Sequence, residues 1–293
     1  MIVNESSLSA LTQAVNIAFN AGLARNSTPW DVLAMRIPSV TAENIYPYLK
    51  ELGKIREWLG DREIQNLTKG EFRIVNKKFE ETHAVPTTAI DDDSYGLYGP
   101  MFEQLGLNVA SFPSDQLYPL LKAGNTTLGA DGQYFFDTDH PVGTGIVSNY
   151  MGGAGEGWYL VDSSQVFKPL IYQPRKEFNL VKLFNETDPN VFHQDQFVYG
   201  VNGRAGFGFS PFWQLAFMSK QTLDSTNLRA TLTAMSAQKG ETGAPLKINA
   251  THLMVSPNLF EAANDLVSRL LINGGDTNTL AGRVQVVKVP ELL

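Results

Sequence analysis

The sequence predicts an α+β fold, and three observations carry that expectation. Between Asp91 and Gly124, apolar residues recur at Leu97, Met101, Phe102, Leu105, Val109 and Phe112, in steps of three to four that describe one stripe of a long helix. Ahead of that rod lies a densely charged hairpin candidate. Behind it, strand-like and helix-like segments alternate without regular βαβ repetition, the pattern of α+β rather than α/β proteins.

Taken in order, residues 7–24 read as an amphipathic helix, with Leu8, Leu11, Val15, Phe19 and Leu23 on one side and Ser6 or Ser7 as cap. Such a helix docks either on its own core or across a neighbour. Asn26 to Ser39, with Pro29 and Pro38, reads as an extended connector. Thirteen of the 28 residues from Lys54 to Glu81 are charged, with signs that nearly cancel. Within this stretch Phe72–Phe79 reads as one strand, with Asn66–Gly70 as the turn before it. Asp91, Asp92 and Asp93 suit a helix N-terminus and Pro100 a first turn. Pro113-Ser114 is expected to break the rod, and a second short helix, Asp115–Ala123, to stop at Gly124 as its C′ residue. Further strands are expected at Trp158–Val161, Val166–Gln173, Phe178–Phe184, Gln196–Val201, His252–Ser256 and Arg283–Val289. Helices are expected over Thr226–Gln238 and from Ser256-Pro257 to Leu271, the latter with Leu259, Ala263, Leu266, Val267 and Leu270 inward.

Composition bounds the function. A chain of 293 residues suits one elongated domain or two lobes. Hydrophobic content of 43% places it among folded proteins rather than disordered ones. With no cysteine, disulfides, thiolate metal sites and a Cys nucleophile are excluded. A formal net charge of −7 disfavours sequence-independent DNA binding, which needs a dense basic face. No apolar run approaches a membrane span, and Met1–Glu5 lacks the character of a signal peptide. The expectation is a soluble protein that acts where it is made, or in an assembly built there.

Candidate chemistry is sparse. Asp137-Thr138-Asp139-His140 offers carboxylates at i and i+2 beside an imidazole, a start on a hard-metal or acid–base site. No second His/Asp cluster completes it, and a turn held by Asp side-chain-to-backbone bonds, with Pro141 fixing the exit, explains the residues better. The run Gly152–Gly157 matches neither G-x-G-x-x-G nor G-x-x-x-x-G-K-[ST] and precedes a strand, so it reads as a mobile surface loop. No G-x-S-x-G elbow occurs, and Phe207–Trp213 reads as core or as a seam between lobes. No catalytic residue, metal ligand or cofactor site is assigned, which favours a structural role.

Several strings in one order carry a resemblance. They are Arg56–Arg62, Asn76–Glu80, the acidic run before Tyr95-Gly96-x-Tyr98-x-Pro100, Asp131–Val142, Lys168–Gln173 and Phe212–Ala216. With them the chain resembles, over essentially its whole length, the major head (capsid) subunits of Mu-like bacteriophages and prophages. The resemblance implies a Hong Kong 97-type capsid fold. It implies an N-terminal arm (1–49), an extended loop or E-loop (50–90), a spine helix of a peripheral domain (91–127), and an axial domain with the remaining peripheral elements (128–293). It further implies a non-enzymatic subunit that forms pentamers and hexamers, closing an icosahedral head around double-stranded DNA in the bacterial cytoplasm. Scaffold, protease and portal partners are implied by the family, and no membrane. On this reading Arg56, Glu57, Asp61, Arg62, Lys77 and Lys78 of the E-loop meet the adjacent subunit, and the N-terminal helix packs under a neighbour. The alternatives are an encapsulin-like cage storing cargo enzymes and a metal-dependent hydrolase using Asp137, Asp139 and His140.

Overall fold

The apolar stripe beyond Leu97 does fold as one long helix, and both large sheets are built against it. The computed structural model describes residues 5–25, 28–47, 71–88, 96–272 and 275–293. Its elements are α1 (Glu5–Leu23), β1 (Ala34–Arg36), β2 (Glu43–Pro47), β3 (Glu71–Val75), β4 (Lys77–Pro86), α2 (Tyr98–Lys122), β5 (His140–Val142), β6 (Gly145–Val147), β7 (Tyr150–Gly153), β8 (Trp158–Val161), β9 (Leu170–Leu183), α3 (Pro189–Gln194), β10 (Gln196–Phe209), β11 (Ala216–Lys220), α4 (Ser225–Ser236), β12 (His252–Val255), α5 (Pro257–Ser268), β13 (Leu271–Ile272), β14 (Asp276–Thr277) and β15 (Gln285–Lys288). The mixture is α+β, as expected.

The first large sheet has the order β1-β9-β10-β4, with β9 and β10 forming a long antiparallel hairpin and β4 at one edge. One face of it takes both α1 and the first half of α2. Phe102 meets Tyr199 edge-on at 4.6 Å, Phe112 meets Phe79 and Phe178 in the same manner, and Phe19 packs with Leu105 and Val201. The second sheet has the order β15-β12-β8-β11-β7. Trp158, Leu160, Phe217 and Leu253 on one face pack against α4 and α5, whereas Tyr159, Met218 and Met254 on the other meet the C-terminal half of α2. The helix therefore joins the two lobes as a spine.

Pro113 does not break that spine. The helix runs from Tyr98 to Lys122 with Pro113 and Pro119 inside it. A mid-helix proline costs about 3 kcal/mol, but Leu117, Tyr118 and Leu121, each with no exposed surface, contribute about 1.5–3 kcal/mol apiece by burial and hold the second half in line. Ser114 Oγ and the Tyr118 hydroxyl donate to the carbonyls of Thr28 and Pro29, pinning the connector from α1. That connector is not wholly irregular, since β1 pairs with β9 in parallel. Gly124 follows the helix without a left-handed φ; a Cβ there would lie 2.6 Å from the Phe136 ring, so space demands the glycine. The acidic run Asp91–Asp93 lies outside the described residues.

Other boundaries differ for tertiary reasons. The segments expected at 166–173 and 178–184 fuse into β9, which passes Pro174 with an irregularity in pairing, and β10 extends to Phe209. The expected strand 72–79 splits at Asn76 into β3, paired with β2, and β4, paired with β10. α5 ends at Ser268, leaving Leu270 exposed, and Ser256 stands at its N-cap without a side-chain capping bond. Gly152 and Gly153 are not a mobile loop; with positive φ they end β7, an edge strand whose Gly153 fits against the Lys220 backbone with no room for a Cβ.

α1 lies on the chain's own spine. Gly22 and Gly106 face each other at the crossing, where a Cβ on either would overlap the main chain of the other helix. Val15 and Phe19 are thereby buried, Arg25 pairs with Glu103, and Lys182 Nζ donates to Asn16 Oδ1 at 2.6 Å.

Candidate assembly surface

The break at Asn76 creates the root of the charged hairpin. β2 and β3 pair antiparallel, from Glu43 opposite Val75 to Pro47 opposite Glu71, and residues 48–70 join them. This ladder sits on the face of the first sheet that the helices do not cover. Ile74, nearly fully buried, fills a notch between Gly206 and Gly208 of β10; a Cβ on either glycine would lie 2.7 Å from it. Glycines inside a strand mark such close approaches.

A buried polar network fastens the same root. Gln173 of β9, with no exposed surface, donates through Nε2 to Ile74 O at 3.2 Å and Asn76 Oδ1 at 2.9 Å, and accepts from the Tyr46 hydroxyl at 2.6 Å. Asn76 Nδ2 donates to Ser39 Oγ at 2.9 Å and to Thr41 O at 3.0 Å, and Ser39 Oγ donates to Asn44 Oδ1 at 2.8 Å. Buried amides cost free energy unless paired, so these partners fix the angle at which β2 and β3 leave the sheet. Sequence reasoning missed this network. The spacing Gly200, Gly203, Gly206, Gly208 within a strand was the available signal.

Of the six residues assigned to a subunit interface, Arg56, Glu57, Asp61 and Arg62 lie outside the described residues. Lys77 and Lys78 are exposed at the start of β4, opposite Ala205 and Arg204, and so belong to a strand of the first sheet. Across the root, Arg73 pairs with Glu43 at 3.7 Å, an exposed bridge worth little by itself.

The motif at Asp137–His140 forms no joint site. Asp137 accepts from the Tyr134 and Thr138 backbone N–H groups, as a turn-forming carboxylate does, and Asp139 is exposed. His140 is fully buried and faces away to other partners: Nδ1 lies 2.6 Å from Asp131 Oδ2, Nε2 lies 3.1 Å from Asn149 Oδ1, and Trp213 stacks on the ring at 3.8 Å. Asn149 Nδ2 donates to the carbonyls of Phe135, Trp213 and Ala216, which orients its Oδ1 as an acceptor for the His140 ring and the Asp137 N–H. The cluster cross-links the 131–137 turn to β11. Among the described residues no group of three metal-ligating side chains converges.

His252 is partly buried at the start of β12. Its Nδ1 lies 3.0 Å from Ser163 Oγ, and burial, then the Lys168 ammonium, holds its imidazole below the ordinary range. The folded state thus favours the neutral ring, and the unfolded chain takes up the proton more readily. The resulting stability is present above the unfolded pKa of about 6.5 and is lost as pH falls below it. His252→Gln should accordingly show a shallower drop in melting temperature than the parent between about pH 7.5 and pH 5; an unchanged slope would remove His252 from the pH response.

Comparison with known proteins decides what this architecture is. The sequence model described as "Mu-like prophage major head subunit gpT" matches residues 8–292. The chain belongs to the Mu-like prophage major head subunit family. This head subunit is 37% identical over 265 residues to the Mu-like prophage FluMu major head subunit of Haemophilus influenzae, covering 86% of each chain. It is 34% identical over 301 residues to the major capsid protein of Escherichia phage Mu, covering 98% of each. Among solved structures, the procapsid of bacteriophage JBD30 matches with a TM-score of 0.88 and 38% identity, covering 99% of this chain and 100% of that one. The JBD30 capsid matches with a TM-score of 0.78 and 28% identity, covering all of both. The fold of the head subunit is thus the Hong Kong 97-type capsid fold, and its role is that of a structural capsid protein of a Mu-like phage virion, not an enzyme. The family favours neither the hydrolase nor the cargo-storing cage. No helix among the described residues is long and apolar enough to cross a membrane.

Proposed function

We propose that copies of this head subunit assemble into pentamers and hexamers that close an icosahedral head around double-stranded DNA. Assembly takes place in the bacterial cytoplasm, with scaffold, protease and portal proteins as partners. The observation that carries the reading is the anchored hairpin root. Ile74 in its glycine notch and the Gln173–Asn76 network hold β2 and β3 firmly, as a loop that must transmit force to another subunit requires. Residues 1–49 then serve as the arm, 50–90 as the E-loop, 91–127 as the spine, and 128–293 as the axial domain with the remaining peripheral elements. Arg56, Glu57, Asp61, Arg62, Lys77 and Lys78 meet an adjacent subunit. Each exposed pair contributes only about 0–1 kcal/mol, so the strength of the shell comes from symmetric repetition, and weak single contacts allow misplaced subunits to leave. An acidic chain suits a container that does not clamp the DNA inside it.

Purified protein, with any scaffold it needs, should form large particles by light scattering and electron microscopy; a monomer at all protein and salt concentrations would overturn the reading. Reversing Arg56 and Arg62 to Glu should abolish or sharply reduce particle formation while the circular dichroism spectrum stays unchanged. Normal heads from that variant would discard the E-loop assignment.

A further inference from the structure

Beyond the hairpin root, the helix-free face of the first sheet is bare among the described residues, and its chemistry changes along the strands. Phe79 faces α2, so Lys78 projects to the opposite face, and with it the paired residues Arg204 and Lys176. Three cations thus stand side by side across β4, β10 and β9. Like charges directly opposite one another are unfavourable in a sheet. Lys176 Nζ donates to Asn202 Oδ1, but none of the three makes an ion pair among the described residues. Arg204 Nε, and Nη1 of Arg175 in the adjoining irregularity, are shielded from solvent without a hydrogen-bond partner among them. The next row on the same face is polar, Glu80 opposite Asn202 and Asn179, its single carboxylate taken by Thr82 Oγ1. Further along apolar residues enter: Val181 opposite Gly200 and Thr82, then Leu183 opposite Val198 and Ala84. Val181 and Leu183 keep 47% and 43% of their surface exposed, far more than residues on the helix-covered face.

We infer that this face receives a segment of a second copy of the head subunit, one carrying carboxylates beside apolar side chains. Carboxylates neutralise the Lys78–Arg204–Lys176 row, and apolar side chains cover Val181, Leu183 and Val198. A second copy fits the charge, because the chain as a whole carries −7. A nucleic-acid backbone would satisfy the cations but leave the apolar rows uncovered, which is why a protein segment is preferred. The inference rests on the shell reading and adds the receiving surface to it.

The double variant Lys78→Glu/Lys176→Glu tests it. In the isolated subunit it relieves like-charge crowding around Arg204, so the melting temperature should stay the same or rise. Assembly, in contrast, should need at least about tenfold more protein than the parent. A subunit that is no less stable yet assembles poorly is a result that misfolding cannot produce. Should the glutamates unfold the chain, Lys78→Gln/Lys176→Gln should raise the concentration required without reversing charge. Assembly of either folded variant at the parent concentration overturns the inference and leaves the shell intact. Normal assembly with reduced DNA retention overturns it in favour of a phosphate-binding face. A parent that never assembles removes the shell reading and this inference together.

Discussion

Replacing His140 with alanine should lower the unfolding free energy by about 3–5 kcal/mol, the cost of removing one member of a buried, hydrogen-bonded pair. The Asp131 side chain that faces His140 is only 4% exposed, so its Oδ2 would lose the ring nitrogen it faces, while Oδ1 keeps only the Gln133 N–H. The stack on Trp213 would be lost as well, and the hole lies beside Phe135 and Phe136, which seal the end of the spine. Asp131→Asn should cost far less, because an amide can donate to Nδ1 while Nε2–H keeps its bond to Asn149 Oδ1. Denaturant titration of both variants checks this. Equal losses would mean that the volume of the ring matters and its hydrogen bonds do not.

Gly106→Ala should destabilise the subunit by about 1–3 kcal/mol, although alanine is the better helix former by about 1 kcal/mol. The sign is set at the crossing with α1, where the added Cβ would overlap the carbonyl oxygen of Phe19 and lie 3.0 Å from the Leu23 nitrogen. Backbone atoms cannot swing aside as a flexible side chain can. α1 must therefore lift, exposing Val15 and Phe19, whose burial is worth about 1.5–3 kcal/mol each. Thermal denaturation together with limited proteolysis after α1 tests the prediction. A variant more stable than the parent, with α1 equally protected, would show that the two helices do not hold each other in solution.

Much of this molecule was legible because local pattern and tertiary demand agree. The stripe Met101–Phe112 needs a surface to cover, and the first sheet supplies it. The strands at 158–161 and 252–255 are runs of large apolar residues that only a buried sheet accommodates. The helices α1, α4 and α5 likewise followed from their spacing. Asp137 was rightly read as a turn residue, since its carboxylate accepts from backbone N–H groups on both sides of it, Tyr134 and Thr138. His140 was not readable in the same way, because Asp131, Asn149 and Trp213 reach it from three separate places in the chain.

The sequence by itself determined the α+β class, the helical stripe of the spine, the absence of thiol chemistry, the charged stretch ahead of the spine and, through six ordered strings, the family. These depend on residues close together or on composition, and no folding is needed to see them. Tertiary structure alone decided that the spine passes through Pro113, that one strand divides at Asn76, and that α1 packs on the spine through Gly22 and Gly106. It also brought Lys78, Arg204 and Lys176 into one row. In each case the outcome rests on contacts between residues far apart in sequence, whose burial outweighs the local preference.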